Sequence, residues 1–240
     1  MAGAASTRGA EAEEGFAGGD ARAAIAASDV DGTLFSDRAA QDVFLRILRT
    51  TGLLSRAAFA RLVGVYVLHR LRLIDPVQAR LRGLAMLDGL PLAQAEPLAD
   101  RLAGELLATV HDDARAEIAA LQARGLRVLL VSASLGLVVS RLADGLGADG
   151  YLASELLVVD GCCRAAFAGP VLEGPQKWLA LQRFADERCG RGGWELSVAY
   201  GDSADDVALL EHAQWAVAVN AQRKLARPAA RRGWARVAWH

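Results

Sequence analysis

The sequence predicts an α/β protein: an open, doubly wound parallel sheet with a block of helices inserted after its first strand. Three observations carry this. Apolar runs of strand length end abruptly in acidic, Ser or Gly residues and, from residue 125 onward, alternate with stretches of helical periodicity. Between the first such run and the second, residues 38–123 read as helical almost throughout. Finally, 240 residues that are 53% hydrophobic can bury one large core, or a core domain with a smaller insert, without disulfides or structural metals.

Residues 1–22, rich in Ala, Gly and Glu, predict a disordered leader; they lack the basic start and apolar run of a secretory signal or anchor. Residues 23–30 (AAIAASDV) form an apolar run ending in acid, a buried strand that feeds a loop. About four helices follow, dominated by Leu, Ala and Arg, with turns at Thr51-Gly52, Asp75-Pro76 and between Gly89 and Pro91. Residues 125–134 (GLRVLLVSAS) predict a strand and 135–147 a helix; 150–161 and 163–169 predict strands around a turn at Asp160-Gly161. Residues 175–190 predict a helix with Pro at its start and Gly at its end. Strand 195–202, helix 204–213, strand 216–220, a further helix and a last short strand complete the alternation.

Composition narrows the function classes. A formal net charge of −1 gives no electrostatic case for nucleic acid, and the basic cluster at residues 223–232 reads as a solvated helix face. The apolar stretch 62–68 is too short to span a bilayer. Cys162, Cys163 and Cys189 are odd in number and lack zinc spacing, which predicts inert thiols in a reducing, cytoplasmic setting. Residues 145–150 match GxGxxG by letter, but they follow a helix and precede a strand, the reverse of a dinucleotide loop. They read as a helix C-terminal turn.

In a doubly wound sheet, ligands bind beyond the carboxyl ends of the strands. The residues there are Asp29 and Asp31, then Ser132, then Asp202 and Asp206. Gathered carboxylates repel unless a cation neutralises them. Oxygen donors with no neighbouring His or Cys call for a hard cation, magnesium being usual beside phosphate. Lys177, one of only two lysines, is available for phosphoryl oxygens and Ser132 offers a hydroxyl. Asp29 can then attack phosphorus to form an acyl phosphate, with Asp31 as proton donor and later acceptor. Gly32 permits a tight loop whose N–H groups turn toward the phosphate. Asp205 reads as a solvated first-turn residue, and His69, His111 and His212 as packing or surface residues, with contact to substrate the alternative for His69 and Tyr66.

These residues carry a resemblance. Asp29-Val30-Asp31-Gly32-Thr33-Leu34 resembles the first motif of the haloacid dehalogenase superfamily, Ser132 the second, Lys177 the third, and Gly201-Asp202-Ser203-Ala204-Asp205-Asp206 the fourth. The helical insert after the first motif resembles the cap of the branch that includes phosphoserine phosphatases. The resemblance implies a Rossmann-like core (23–37 and 112–240) and a helical cap (38–111). It further implies Mg2+ held by Asp29, the Asp31 backbone carbonyl and Asp202, with Asp206, Gly32 and Thr33 supporting the site.

The implied activity is hydrolysis of a small phosphorylated metabolite. Phosphoserine phosphatases carry a Glu shortly after the first motif, and here Arg38 stands near that position with Asp37 beside it. Arg38 favours an anionic or neutral leaving group, Asp37 a cationic one. The stripe at 59–73 reads as cap core; the sharper alternative is an apolar lid, resting on a membrane surface, for a lipid phosphate of the lysophosphatidate or phosphatidylglycerophosphate type. A phosphomutase and a non-catalytic binding protein are the remaining alternatives.

Overall fold

The computed structural model describes residues 22–36, 38, 42–44, 46–47, 64 and 82–240. The leader up to residue 21, Asp37, Tyr66, His69 and nearly all of the 59–73 stripe lie outside the described residues.

The small-residue run Ala23–Ser28 forms β1, at the centre of a six-stranded sheet. Helices α1 (Leu92–Leu107) and α2 (Asp112–Ala123) precede β2 (Arg127–Leu135). Then come α3 (Gly136–Leu146) and β3 (Gly150–Ser154), and a hairpin of β4 (Leu156–Val159) and β5 (Cys162–Phe167). After it run α4 (Pro175–Cys189), β6 (Trp194–Gly201), a 3-10 turn (Ala204–Asp206) and the short α5 (Val207–Glu211). The chain closes with β7 (Trp215–Val219), α6 (Arg223–Arg232) and β8 (Ala235–Val237).

All neighbouring strands of the large sheet pair in parallel, in the order β3-β2-β1-β6-β7-β8. The chain therefore winds outward from β1 in one direction and returns to wind outward in the other. The reversal falls between β1 and β6, where such sheets open a cleft at their carboxyl edge. Asp29 follows β1 and Asp202 follows β6, so both acids flank that cleft.

Each strand divides its side chains between two apolar layers. Val128 and Leu130 join Ile118, Leu121, Val139 and Leu142 on one face, while Leu129 and Val131 join Leu181, Leu209 and Leu225 on the other. In β6 the alternation slips. Leu196 pairs with Ile25 and Val198 with Ala26, which leaves Ser197 as an extra residue, so Leu196 and Val198 serve opposite layers. A bulge of this kind changes which face every later residue of the strand presents. Helix ends follow local chemistry: Pro175 starts α4 with its preset φ, and Gly147 and Gly233 close α3 and α6 in the left-handed conformation.

Two elements differ from expectation. The strand expected over 150–161 breaks at Glu155: β3 belongs to the parallel sheet and β4 to a separate antiparallel pair with β5. The apolar letters run on because both halves are partly buried, in different places. Helix 204–213 begins as a tight 3-10 turn, where Asp206 is drawn inward, and its α-helical part ends at Glu211. The turn at residues 145–150 does end α3, the basic face of α6 is exposed, and all three cysteines are free. The segment before α1 docks on the hairpin through a bridge from Pro91 to Cys162, and Leu84, Ala95, Leu156 and Cys163 form a small core there. The later turns of α1 bury Ala103 and Leu106 in the main core.

Leu129, wholly buried in β2, and Leu179, 43% exposed on α4, offer a paired check. Leu129→Ala should cost about 2–5 kcal/mol in urea denaturation, and Leu179→Ala about 0.5 kcal/mol or less.

Candidate active site

The site grows from the turn after β1. Leu34 and Phe35 are fully buried, which pulls the chain back under the sheet edge. The Leu34 N–H donates to the Val30 carbonyl and the Gly32 N–H to that of Phe35, closing a tight loop around residues 31–33. Gly32 sits at φ +84°, and a Cβ there would lie 2.4 Å from Oδ2 of Asp202. Glycine is thus required both by the backbone conformation and by the approach of the second acid. The loop presents Asp29, 4% exposed, and its carboxylate accepts a 3.1 Å bond from the Thr33 hydroxyl.

Opposite it, the α4 N-terminus delivers Lys177, 3% exposed, whose ammonium lies 2.5 Å from Oδ1 of Asp29 and 2.5 Å from Oδ1 of Asp206. Asp206 is fixed in turn by a capping box. Its Oδ2 accepts the backbone N–H groups of Asp202 and Ser203 and the Ser203 hydroxyl, at 3.0–3.1 Å. These contacts use the Asp206 carboxylate as a brace between the β6 end and Lys177. Asp202 itself is 3% exposed, and its Oδ2 accepts from the Gln222 side chain at 2.6 Å.

Carboxylate oxygens of Asp29, Asp202 and Asp206 all lie within 4.8 Å of one another. One buried ammonium against three buried acids leaves an excess of negative charge. Burial, then Asp206, raises the Asp29 carboxyl well above its ordinary range; Lys177 opposes this, while Asp202 and Asp31 add to it. Burial also works against the Lys177 charge, but Asp29 and Asp206 outweigh it and hold the ammonium above the usual lysine range. An all-oxygen set with surplus negative charge fits a hard divalent cation. Asp206 accepts four bonds within the protein and Asp29 two, so Asp29 and Asp202 are better placed to hold one.

Asp31 is separate from this cluster. Its Oδ2 accepts from the hydroxyls of Ser132, at 3.3 Å, and Ser134, at 2.6 Å. The structure thus draws Asp29, Thr33, Lys177, Asp202 and Asp206 into one connected group around Gly32, and joins Asp31 to Ser132 beside it. Arg38 is exposed and in helical conformation. Sequence reasoning missed three contributors. Ser134 lies two residues beyond Ser132 on β2, on the same side of an ideal strand, so the alternation could have found it. Ser203 was legible as the first residue of a Ser-x-x-Asp capping pattern. Gln222 follows β7 by three residues, and nothing local in the sequence marks it.

Several comparisons with known proteins bear on this site. A sequence model of a family described as haloacid dehalogenase-like hydrolase matches residues 26–211. The chain is 32% identical over 152 residues to the phosphoserine phosphatase SerB2 of Mycobacterium tuberculosis, covering 63% of this chain and 35% of that protein. It is 29% identical over 156 residues to the phosphoserine phosphatase of Idiomarina loihiensis, covering 63% and 66%. The chain therefore spans between about a third and two thirds of the length of these relatives. Among solved structures, a protein of unknown function from Bordetella pertussis Tohama I superposes with a TM-score of 0.80 at 21% identity, over 90% of this chain and 98% of that one. A phospho-aspartyl intermediate analogue of phosphoserine phosphatase gives 0.57 at 19%, over 90% and 92%. At these identities the structures attest the shared fold.

The raised Asp29 carboxyl makes a signed pH prediction for protein held in a chelator. Folded Asp29 binds its proton more tightly than unfolded Asp29, so its contribution to stability is greatest below the ordinary carboxylate range and is lost as pH rises through the raised value. Urea denaturation between about pH 4 and 7 should show stability falling with pH, and Asp29→Asn should flatten that slope.

Proposed function

The chain belongs to the haloacid dehalogenase-like hydrolase family, and from that premise we propose that it is a magnesium-dependent phosphomonoesterase acting on a small phosphorylated metabolite through an aspartyl-phosphate. One observation carries the reading: two acids two residues apart sit in opposite environments. Asp29 is buried against an ammonium and further carboxylates, while Asp31 is half-buried and held by hydroxyls alone among its described bonds. The first environment suits a nucleophile beside a cation, the second an acid and base that exchanges protons with substrate and water.

In the first half-reaction a carboxylate oxygen of Asp29 bonds to phosphorus, the ester P–O bond breaks, and Asp31 gives a proton to the leaving alkoxide. In the second, Asp31 takes a proton from water, the water oxygen bonds to phosphorus, and the acyl-phosphate P–O bond breaks. Inorganic phosphate then leaves and the Asp29 carboxylate is restored. Thr33 and Lys177 hold the two Asp29 oxygens so that the carboxylate meets phosphorus in one orientation, and Asp206 keeps Lys177 in place. Ser132 supplies a hydroxyl for a phosphoryl oxygen. Asp29, Asp202 and the Asp31 backbone carbonyl would hold magnesium, which when bound supplies charge neutralisation for the attacking carboxylate and the phosphoryl group.

Relatives named phosphoserine phosphatase support a small phosphate ester as substrate. Among the described residues no helix is long and apolar enough to cross a membrane. The stripe on which a lipid-phosphatase reading depends lies outside those residues.

Phosphate release from a panel of phosphomonoesters, with and without magnesium, tests the proposal. Asp29→Asn should lower the rate at least about a thousandfold with the protein still folded, since nucleophile loss removes most of the chemistry. Retention of normal turnover would sink the assignment. In thermal melts magnesium should stabilise the wild type, by about 2.7 kcal/mol at a hundred times its Kd, and stabilise Asp202→Asn much less.

A further inference from the structure

We propose that Ser134 is a positioning residue that holds the proton-transferring carboxylate of Asp31 and thereby frees Ser132 to serve the phosphoryl group. The inference rests on the phosphomonoesterase reading and extends it to a residue that the four motifs do not include.

Two hydroxyls converge on one oxygen of Asp31, and the bonds are unequal: 2.6 Å from Ser134 and 3.3 Å from Ser132. The Ser132 oxygen already accepts the backbone N–H of Ser134, at 2.9 Å. A serine hydroxyl has one proton to give. If Ser132 gives it to Asp31 it has none for a phosphoryl oxygen, and if it turns to substrate, Asp31 loses that donor. Ser134 removes the conflict. Its only described hydroxyl bond goes to Asp31, and at 2.6 Å it is the short, charge-assisted kind that holds a carboxylate firmly. With Oδ2 anchored by Ser134, Asp31 keeps its orientation whichever way Ser132 turns.

The assignment has a signature that a merely structural serine would lack. An acid that protonates the leaving group matters for an alkyl ester, whose alkoxide leaves poorly. It matters little for an aryl ester such as p-nitrophenyl phosphate, whose phenolate leaves unaided. The parameter to follow is kcat/KM, which covers the steps through departure of the leaving group. Ser134→Ala should lower kcat/KM for an alkyl phosphate by about ten- to a hundredfold and for the aryl phosphate by about threefold or less. Ser134→Thr, which keeps the donor, should restore most of the loss; Ser134→Cys, which keeps the shape with a weak donor, should not. In an Asp31→Asn background Ser134→Ala should add almost nothing, because both changes act through the same carboxylate.

Equal losses on both esters, or full additivity with Asp31→Asn, would overturn the role of Ser134. Asp31→Asn alone serves as the control for the underlying reading. If it fails to separate alkyl from aryl esters, the acid role of Asp31 falls, and the Ser134 proposal with it. If it separates them and Ser134→Ala does not, only the Ser134 proposal falls.

Discussion

The ammonium of Lys177, shared between Asp29 and Asp206 in a site nearly closed to solvent, is the contact on which the rest of the cleft depends. Three buried carboxylates at one sheet edge would not stay ionised together in a medium of low polarity. A single buried cation makes the arrangement tolerable but leaves surplus negative charge, which fits a hard divalent ion. Much of the local architecture serves this contact. The turn through Gly174 and Pro175 aims the first turn of α4 inward, the capping box braces Asp206, and Gly201 lets that braced carboxylate lie against the backbone, where a Cβ would come within 2.4 Å of Asp206 Cβ.

The same logic explains why the acids divide into two groups. Asp29, Asp202 and Asp206, clustered around the Lys177 ammonium, lie on the β1–β6 side, where the sheet reverses its winding and strand ends converge. Asp31, the proton carrier of the proposed reaction, is displaced by the Gly32 turn toward β2 and receives neutral hydroxyl donors instead. One loop thus sends two carboxylates, two residues apart, into environments that favour different chemistry.

Much of this was legible in the sequence. β1 and β6 end where apolar runs meet Asp29 and Asp202, Ser132 closes the apolar run within β2, and Pro175 marked the helix that supplies Lys177. What escaped did so for physical reasons. A partly buried segment reads as one strand whether it continues in a sheet or turns into a hairpin, so the lone charge of Glu155 did not mark the break. The bulge at Ser197 hides in a regular alternation, since Trp194, Leu196, Val198 and Tyr200 read as one face. Gln222 reaches Asp202 only because β7 packs beside β6, a tertiary fact absent from its neighbours in sequence. Ser134 was readable in principle, because it repeats Ser132 at the strand period.

The central place of β1 also sets an order in time. Its partner on one side, β6, begins at Trp194, far along the chain from Ala23. During synthesis at about 5–20 residues per second, β1 therefore waits several seconds with one flank unpaired, after β2 is available and before β6 emerges. Asp29 remains open to water through that interval, and Lys177 leaves the ribosome before Asp202 and Asp206 do. The neutralising cation thus arrives ahead of the acids that would burden it. The nascent chain never has to bury the full acid cluster without its counter-ion, and the cleft can close only when the last third of the chain is in place.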